Sequence, residues 1–185
     1  SVSINGVCLT ITEIKEKYST VKFQVVKETL NLTNLIYLHE KCQVNVELSS
    51  KYGDRIGGHL VQGHIDFTGE IIFIKKDSSA WTVDIRVNRN IAKNIIDKGF
   101  VSIDGMSITI VKVSNFFFTV AFIPHTVKNS IVKNYALGTK VNKLNTMSDN
   151  FFKQAMLTAS LKRRLADRGD DLAEIIEKGR FNIDV

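Results

Sequence analysis

The chain has 185 residues, 44% of them hydrophobic and 24% charged, which is enough apolar material for one domain or two small ones and excludes a disordered chain. A single proline among 185 residues excludes collagen-like and proline-rich architectures. No apolar run approaches the ~18 residues of a membrane helix, and no basic stretch followed by an apolar run at Ser1 reads as a secretory leader, so neither a membrane nor a leader is expected. The net charge of +6 falls on residues 1–147, which carry 18 Lys+Arg against 12 Asp+Glu, while residues 148–185 carry 7 of each. No Lys/Arg block forms an arm for nucleic acid, so the excess reads as a mildly basic surface with some pull on anionic or electron-rich ligands. Cys8 and Cys42 make neither a disulfide framework nor a metal set, and they fit a reducing compartment.

In chain order the segments are mostly β. YSTVKFQVV (18–26), WTVDIRV (81–87) and NFFFTVAFI (115–123) are rich in β-branched and aromatic residues. In the second of these, Val83, Ile85 and Val87 alternate with Thr82, Asp84 and Arg86, the period of a half-buried strand. Asn5-Gly6, Gly53-Asp54, Gly57-Gly58, Lys98-Gly99 and Asp104-Gly105 punctuate the strands. Helical stretches are expected around 31–38 and 90–97. From 148 to 167, Phe152, Ala155, Met156, Ala159 and Leu165 follow a helical period, with Ser148-Asp149 as a cap signal. A shorter helix is expected over 170–178, closed by Gly179.

A repeat organises this order. Residues 2–11, VSINGVCLTI, match residues 101–110, VSIDGMSITI, with strict identity at Val2, Ser3, Ile4, Gly6, Thr10 and Ile11. Thr29 matches Thr126, and Val44-Asn45 matches Val141-Asn142, both at an offset of 97. The chain is therefore two copies of a unit slightly under 100 residues long, and short strands at regular spacing in each copy predict a sandwich or barrel.

Three stretches carry side chains capable of chemistry. Cys8 and Thr10 stand two residues apart and share a strand face; Ser107 and Thr109 occupy the matching places in the second copy. Core packing accounts for one such pair, but a thiol or hydroxyl at the same place twice favours a pocket. Gly57-Gly58-His59-Leu60-Val61-Gln62-Gly63-His64 sets two histidines five apart in a glycine-rich run. That is not the spacing of a helical zinc pair and no thiol or carboxylate completes a set, so no metal is expected. The glycines allow backbone to approach a flat group, and a histidine here serves either as a proton shuttle or as a turn-stabilising group. Lys27-Glu28-Thr29 and Ile123-Pro124-His125-Thr126 each end a strand, where polar groups rim a barrel mouth.

Together SVSINGVCLTI, KETLNLTNL, IGGHLVQGHID with FTGEI, KGFVSIDGMSITI and IPHT resemble the riboflavin synthases of the two-barrel lumazine-binding family, over about residues 1–142. The resemblance implies an all-β chain of two tandem Greek-key barrels with a C-terminal helical tail. The first barrel would occupy 1–56, without its opening strand, which the family places ahead of Ser1. The second would occupy 57–147, and the tail, 148–185, departs from the family's pattern. The resemblance also implies a cytoplasmic homotrimer, with active sites between the first barrel of one subunit and the second barrel of a neighbour.

The reaction so implied is dismutation of two 6,7-dimethyl-8-ribityllumazine molecules by four-carbon transfer, giving riboflavin and a ribitylamino-pyrimidinedione, without metal or cofactor. By motif position His64 is the proton shuttle. Cys8 and Thr10 line the first pocket, with Ser1 nearby, and Ser107 and Thr109 line the second. Backbone of Val7, Cys8 and Leu9, and of Met106, Ser107 and Ile108, meets the ring edge. The strand Phe23, Gln24, Val25, Val26, Lys27, Glu28, with Thr29, holds polar atoms of one ligand. The strand Val120, Ala121, Phe122, Ile123, Pro124, His125, with Thr126, holds those of the other. Gln62 and Gly63 accompany His64, and Lys98 reaches the neighbouring pocket. The rival within the fold is a lumazine-binding antenna protein without catalysis; retention of both hydroxyl or thiol pairs favours the enzyme. A β-barrel binding single-stranded nucleic acid is the remote rival, needing exposed aromatics among Lys/Arg, which alternation across Phe116–Phe118 half removes.

Overall fold

The computed structural model describes residues 1–15, 20–51 and 53–145. The chain divides into two compact units, Ser1–Thr146 and Met147–Val185. The expected tail helices over 148–167 and 170–178 lie outside the described residues.

Six strands of the second copy close into a barrel. They are β6 (Phe67–Lys76), β7 (Trp81–Arg86), β8 (Phe100–Ile103), β9 (Met106–Val113), β10 (Phe117–Phe122) and β11 (Lys140–Asn145). Around the barrel the order is β10-β7-β6-β11-β8-β9, and β9 pairs with β10 to complete the circle. Alternation decides which side chains fill it. Val83, Ile85 and Val87 are buried as their period predicts, and Ile71, Ile103, Phe118, Val120, Phe122 and Val141, each 0% exposed, join them in the core. Register shifts between Ile71 and Phe73 and between Thr119 and Val120 supply the bulges that bend strands around a small barrel.

The first copy supplies the counterparts of four of these strands. β1 (Val2–Ile4) corresponds to β8; β2 (Val7–Leu9) and β3 (Ile11–Lys15) together correspond to β9; β4 (Thr20–Phe23) corresponds to β10; and β5 (Val46–Leu48) corresponds to β11. No described element of the first copy corresponds to β6 or β7. Its strands accordingly form two separate sheets, β2-β1-β5 and β3-β4, rather than a closed circle. The consequence is visible residue by residue. Val21 is 44% exposed where its counterpart Phe118 is 0%, and Leu48 on the open β5 edge is 76% exposed.

The repeat extends to the connections. α1 (Lys27–Leu32) and α3 (Pro124–Asn129) sit at the same offset of 97, as do the 3-10 turns Asn34–Tyr37 and Ile131–Asn134. Both junctions carry the same bond: Thr33 Oγ1 donates to the Thr29 carbonyl at 2.6 Å, and Ser130 Oγ donates to the Thr126 carbonyl at 2.7 Å. Several sequence boundaries need correction. Residues 24–26 leave the strand expected over 18–26. The stretch expected as helical over 31–38 is α1 followed by a 3-10 turn. The one expected over 90–97 is the short α2 (Arg89–Ala92), capped by Asn88 Oδ1. Pro124 opens α3, because its fixed φ and missing N–H suit a first helical position.

The two copies meet across a pseudo-twofold axis. Asn5-Gly6 and Asp104-Gly105 are tight turns with φ of 47°, 81°, 46° and 86°, the left-handed pair of a type I′ hairpin. They pack back to back, so closely that a Cβ on Gly6 would lie 2.6 Å from the Gly105 nitrogen. Around them the hydrogen bonds repeat. Asn142 Nδ2 donates to the Asn5 carbonyl and Asn45 Nδ2 to the Asp104 carbonyl. Asn142 Oδ1 accepts from Asn34 N and Asn45 Oδ1 from Ile131 N.

Candidate functional site

The segment joining the copies, residues 55–64, runs past the repeated thiol and hydroxyl positions. Its two glycine–histidine pairs, Gly58-His59 and Gly63-His64, land on equivalent places. A Cβ on Gly58 would lie 2.7 Å from Ser107 Cβ, and a Cβ on Gly63 would lie 2.6 Å from Cys8 Cβ. Gly63, at φ 77°, also accepts a hydrogen bond from Cys8 N at 3.0 Å. The glycines are therefore required by close approach, as the run suggested, but what they approach is the β2 and β9 backbone and side chains.

A cavity of about 400 Å³ lies along this segment, with Cys8, Gln62, Gly63 and Ser107 among its lining residues, joined by Glu47, Arg55 and His59. One cavity of that size suits one small ligand. His59 stands out in it. Its Nδ1 lies 2.6 Å from Ser107 Oγ, and its ring packs on Phe100 at 4.8 Å between centroids, tilted 33°. Burial lowers its pKa below the ordinary histidine value by disfavouring the charged ring. Its Nε2 is buried without a hydrogen-bond partner among the described residues.

The other expected site residues are spread more widely. His64 is exposed and lies outside the lining of this cavity. Ser1, Thr10, Lys98 and Thr109 are exposed, Lys98 in a left-handed turn at φ 63°. Val7 and Leu9 are buried, Met106 and Ile108 half-buried. Val120 and Phe122 point into the barrel core, with Ala121 and the exposed Ile123 between and after them. Phe23 and Val25 are half-buried, and Gln24 and Val26 are exposed. Lys27, Glu28 and Thr29 open α1, and Pro124, His125 and Thr126 open α3, so these polar groups belong to helix first turns rather than strand ends. Of the two histidines in the glycine-rich run, the structure places His59 in the cavity lining and leaves His64, the expected proton shuttle, outside it. The available signal was that Gly58 precedes His59 as Gly63 precedes His64.

No group of three or more His, Cys, Asp or Glu side chains that could hold a metal occurs among the described residues. Nor is any helix among them long and apolar enough to cross a membrane.

A closed six-stranded barrel, a copy of it with open sheets and a glycine-rich segment lining a small cavity define a tandem β-barrel fold with a candidate small-molecule site. The model of the lumazine binding domain matches residues 1–49 and 62–143, and the chain belongs to that family. The riboflavin synthase of Bacillus subtilis (strain 168) is 36% identical over 142 residues, covering 77% of this chain and 65% of that protein. The riboflavin synthase of Escherichia coli (strain K12) is 41% identical over 143 residues, covering 77% and 66%. The chain thus spans just under two thirds of these relatives. The riboflavin synthase of Chlamydia pneumoniae is 37% identical over 171 residues, 92% of this chain and 80% of that protein. That match is long enough to reach into residues 147–185. Among solved structures, LumP complexed with riboflavin superposes with a TM-score of 0.72 at 21% identity, covering 80% of this chain and 78% of that one. LumP complexed with 6,7-dimethyl-8-(1'-D-ribityl) lumazine gives 0.69 at 20%. These share the fold.

Proposed function

We propose that the chain is a riboflavin synthase, converting two 6,7-dimethyl-8-ribityllumazine molecules into riboflavin and 5-amino-6-(ribitylamino)pyrimidinedione. The observation that carries this is the twofold placement of Cys8 and Ser107 on equivalent strands under equivalent glycines, in a family whose relatives at 36% and 41% identity are riboflavin synthases. A reaction between two copies of one molecule suits two equivalent binding units, which we assign to residues 1–56 and 57–147. The donor loses a proton from its C7 methyl, a nucleophile adds to C7 of the acceptor, and the protein supplies proximity and groups that take and return protons. One cavity of about 400 Å³ suits a single ligand, so the second molecule needs another surface. A homotrimer that sets one subunit's first unit against a neighbour's second unit supplies it. In this reading Thr10, Thr109, Lys98, His64 and the polar first turns of α1 and α3 contact ligand from the neighbouring subunit or at the rim.

A second reading, lumazine binding without turnover, is favoured by the first copy's two open sheets. Incubating the protein with the ribityllumazine while following riboflavin fluorescence and ligand binding separates the two. Riboflavin formation with an oligomeric mass of three chains is expected. Binding without riboflavin supports the second reading, and no binding removes both.

A further inference from the structure

We infer that His59 is a positioning residue that poises the Ser107 hydroxyl for attack on an electrophilic ligand carbon, giving Ser107 a base that its first-copy counterpart Cys8 lacks among the described residues. The inference deepens the functional reading above and rests on it for the identity of the electrophile alone.

The geometry is local and specific. The contact between Ser107 Oγ and His59 Nδ1 is 2.6 Å, a short hydrogen bond of the kind that links a nucleophile to its base. Phe100 backs the imidazole, and Gly58, the residue before it, can sit over Ser107 only because it has no Cβ. The ring is half-buried and burial favours its neutral form, the form able to accept a proton. The ionisable groups lining the same cavity are Glu47, Arg55 and Cys8, and desolvation is what shifts the ring. When Nδ1 accepts the Ser107 proton, Nε2 carries the ring hydrogen, and the Ser107 lone pairs are left for a ligand.

The equivalent place in the first copy is built differently. Gly63 sits on Cys8 just as Gly58 sits on Ser107, but it uses its carbonyl to accept from the Cys8 amide, and the following His64 faces out, exposed. Among the described residues the repeat thus gives the Ser107 hydroxyl a base and leaves its counterpart, the Cys8 thiol in the same cavity, without one. In the balanced step, the Ser107 Oγ–C bond forms at an electrophilic C=N carbon, the π pair moves onto the ring nitrogen, and the hydroxyl proton passes to His59 Nδ1. The adduct reverses by the same path, returning the proton to Oγ. This assigns the acceptor molecule, which must undergo addition, to the cavity that Ser107 lines.

A fluorophosphonate probe reads the pairing without reference to lumazine turnover. Ser107 Oγ forms the P–O bond, fluoride leaves, and His59 takes the proton; intact mass and peptide mapping locate the adduct. Labelling of Ser107 in the full chain is expected, with a rate that rises with pH through an inflection below the ordinary histidine value. The rate should fall at least tenfold in His59→Gln, which keeps a hydrogen-bonding side chain without a base, and should recover in His59→Ala on adding imidazole. Absence of a Ser107 adduct, a wild-type rate with no inflection below neutral pH, or labelling of His59→Gln within twofold of wild type overturns the inference. A protein that labels Ser107 with this profile yet forms no riboflavin keeps the inference and sinks the functional reading.

Discussion

At the scale of single residues, Gly63 and Gly53 separate two effects that glycine can have. Both hold positive φ, 77° and 95°, but a Cβ on Gly63 would lie 2.6 Å from Cys8 Cβ whereas nothing lies within 4 Å of one on Gly53. Gly53→Ala carries only the left-handed backbone penalty of about 1 kcal/mol. Gly63→Ala adds a clash that forces the joining segment off β2. Chemical denaturation should therefore show a clearly larger stability loss for Gly63→Ala, and equal losses would mean the contact yields easily. The glycine-rich run around Gly63 shows what the sequence could and could not convey. The run IGGHLVQGHID announced close approach of backbone, but not which histidine turns inward: His59 meets Ser107 and Phe100 while His64 is exposed, tertiary placements with no local signature. Ser107 and Cys8 were legible because the repeat wrote them twice.

At the scale of elements, the contact between the copies concentrates on one asparagine. Asn142 Nδ2 donates to the Asn5 carbonyl and to Asn34 Oδ1, both at 2.8 Å, and its Oδ1 accepts from Asn34 N at 2.6 Å, all buried. Its counterpart Asn45 makes two equivalent bonds in a less buried place. An unsatisfied buried polar group costs about 1–3 kcal/mol, so Asn142→Ala should destabilise by roughly 3 kcal/mol or more and Asn45→Ala by less, as measured in urea. The reverse order would place the main clasp elsewhere. The sheets themselves should differ too. Among the described residues β5 and β4 lack the neighbours that β11 and β10 find in β6 and β7, and an open edge exchanges its amides readily. Hydrogen exchange should be faster across β1–β5 than across β6–β11; equal protection would indicate that something covers the open edges. The strands and the duplication were readable from alternation and spacing. α3 was not, because Pro124 after a strand signals an exit and a helix start equally well.

At the scale of the molecule, two buried ionisable groups set opposing trends with pH. Asp104, fully enclosed at the pseudo-twofold axis, has its pKa pushed up from 3.8 to about 7, chiefly by desolvation, although hydrogen bonds from Tyr135, Asn142 and Asn34 pull the other way. The folded state holds this proton more tightly than the unfolded chain, so its stabilising contribution is full below about pH 4 and fades as pH rises toward 7. Lys143, buried in the barrel beside Phe67, has its pKa lowered from 10.5 to about 7 by desolvation, with Asp66 opposing. Here the unfolded chain holds the proton more tightly, so stability is reduced below pH 7 and recovers as pH rises toward 10.5. Together they place a trough near neutrality, with limbs on the order of a few kcal/mol at ~1.4 kcal/mol per pKa unit. Asp104→Asn restores at this turn the residue type that the first copy carries at Asn5, and it should flatten the acid limb while leaving the alkaline one. Lys143→Met should do the opposite. Urea midpoints at pH 5, 7 and 9 decide the matter: a wild-type curve that rises steadily across that range, or an acid limb unchanged in Asp104→Asn, would show that the buried carboxyl between the copies is not what couples their folding to pH.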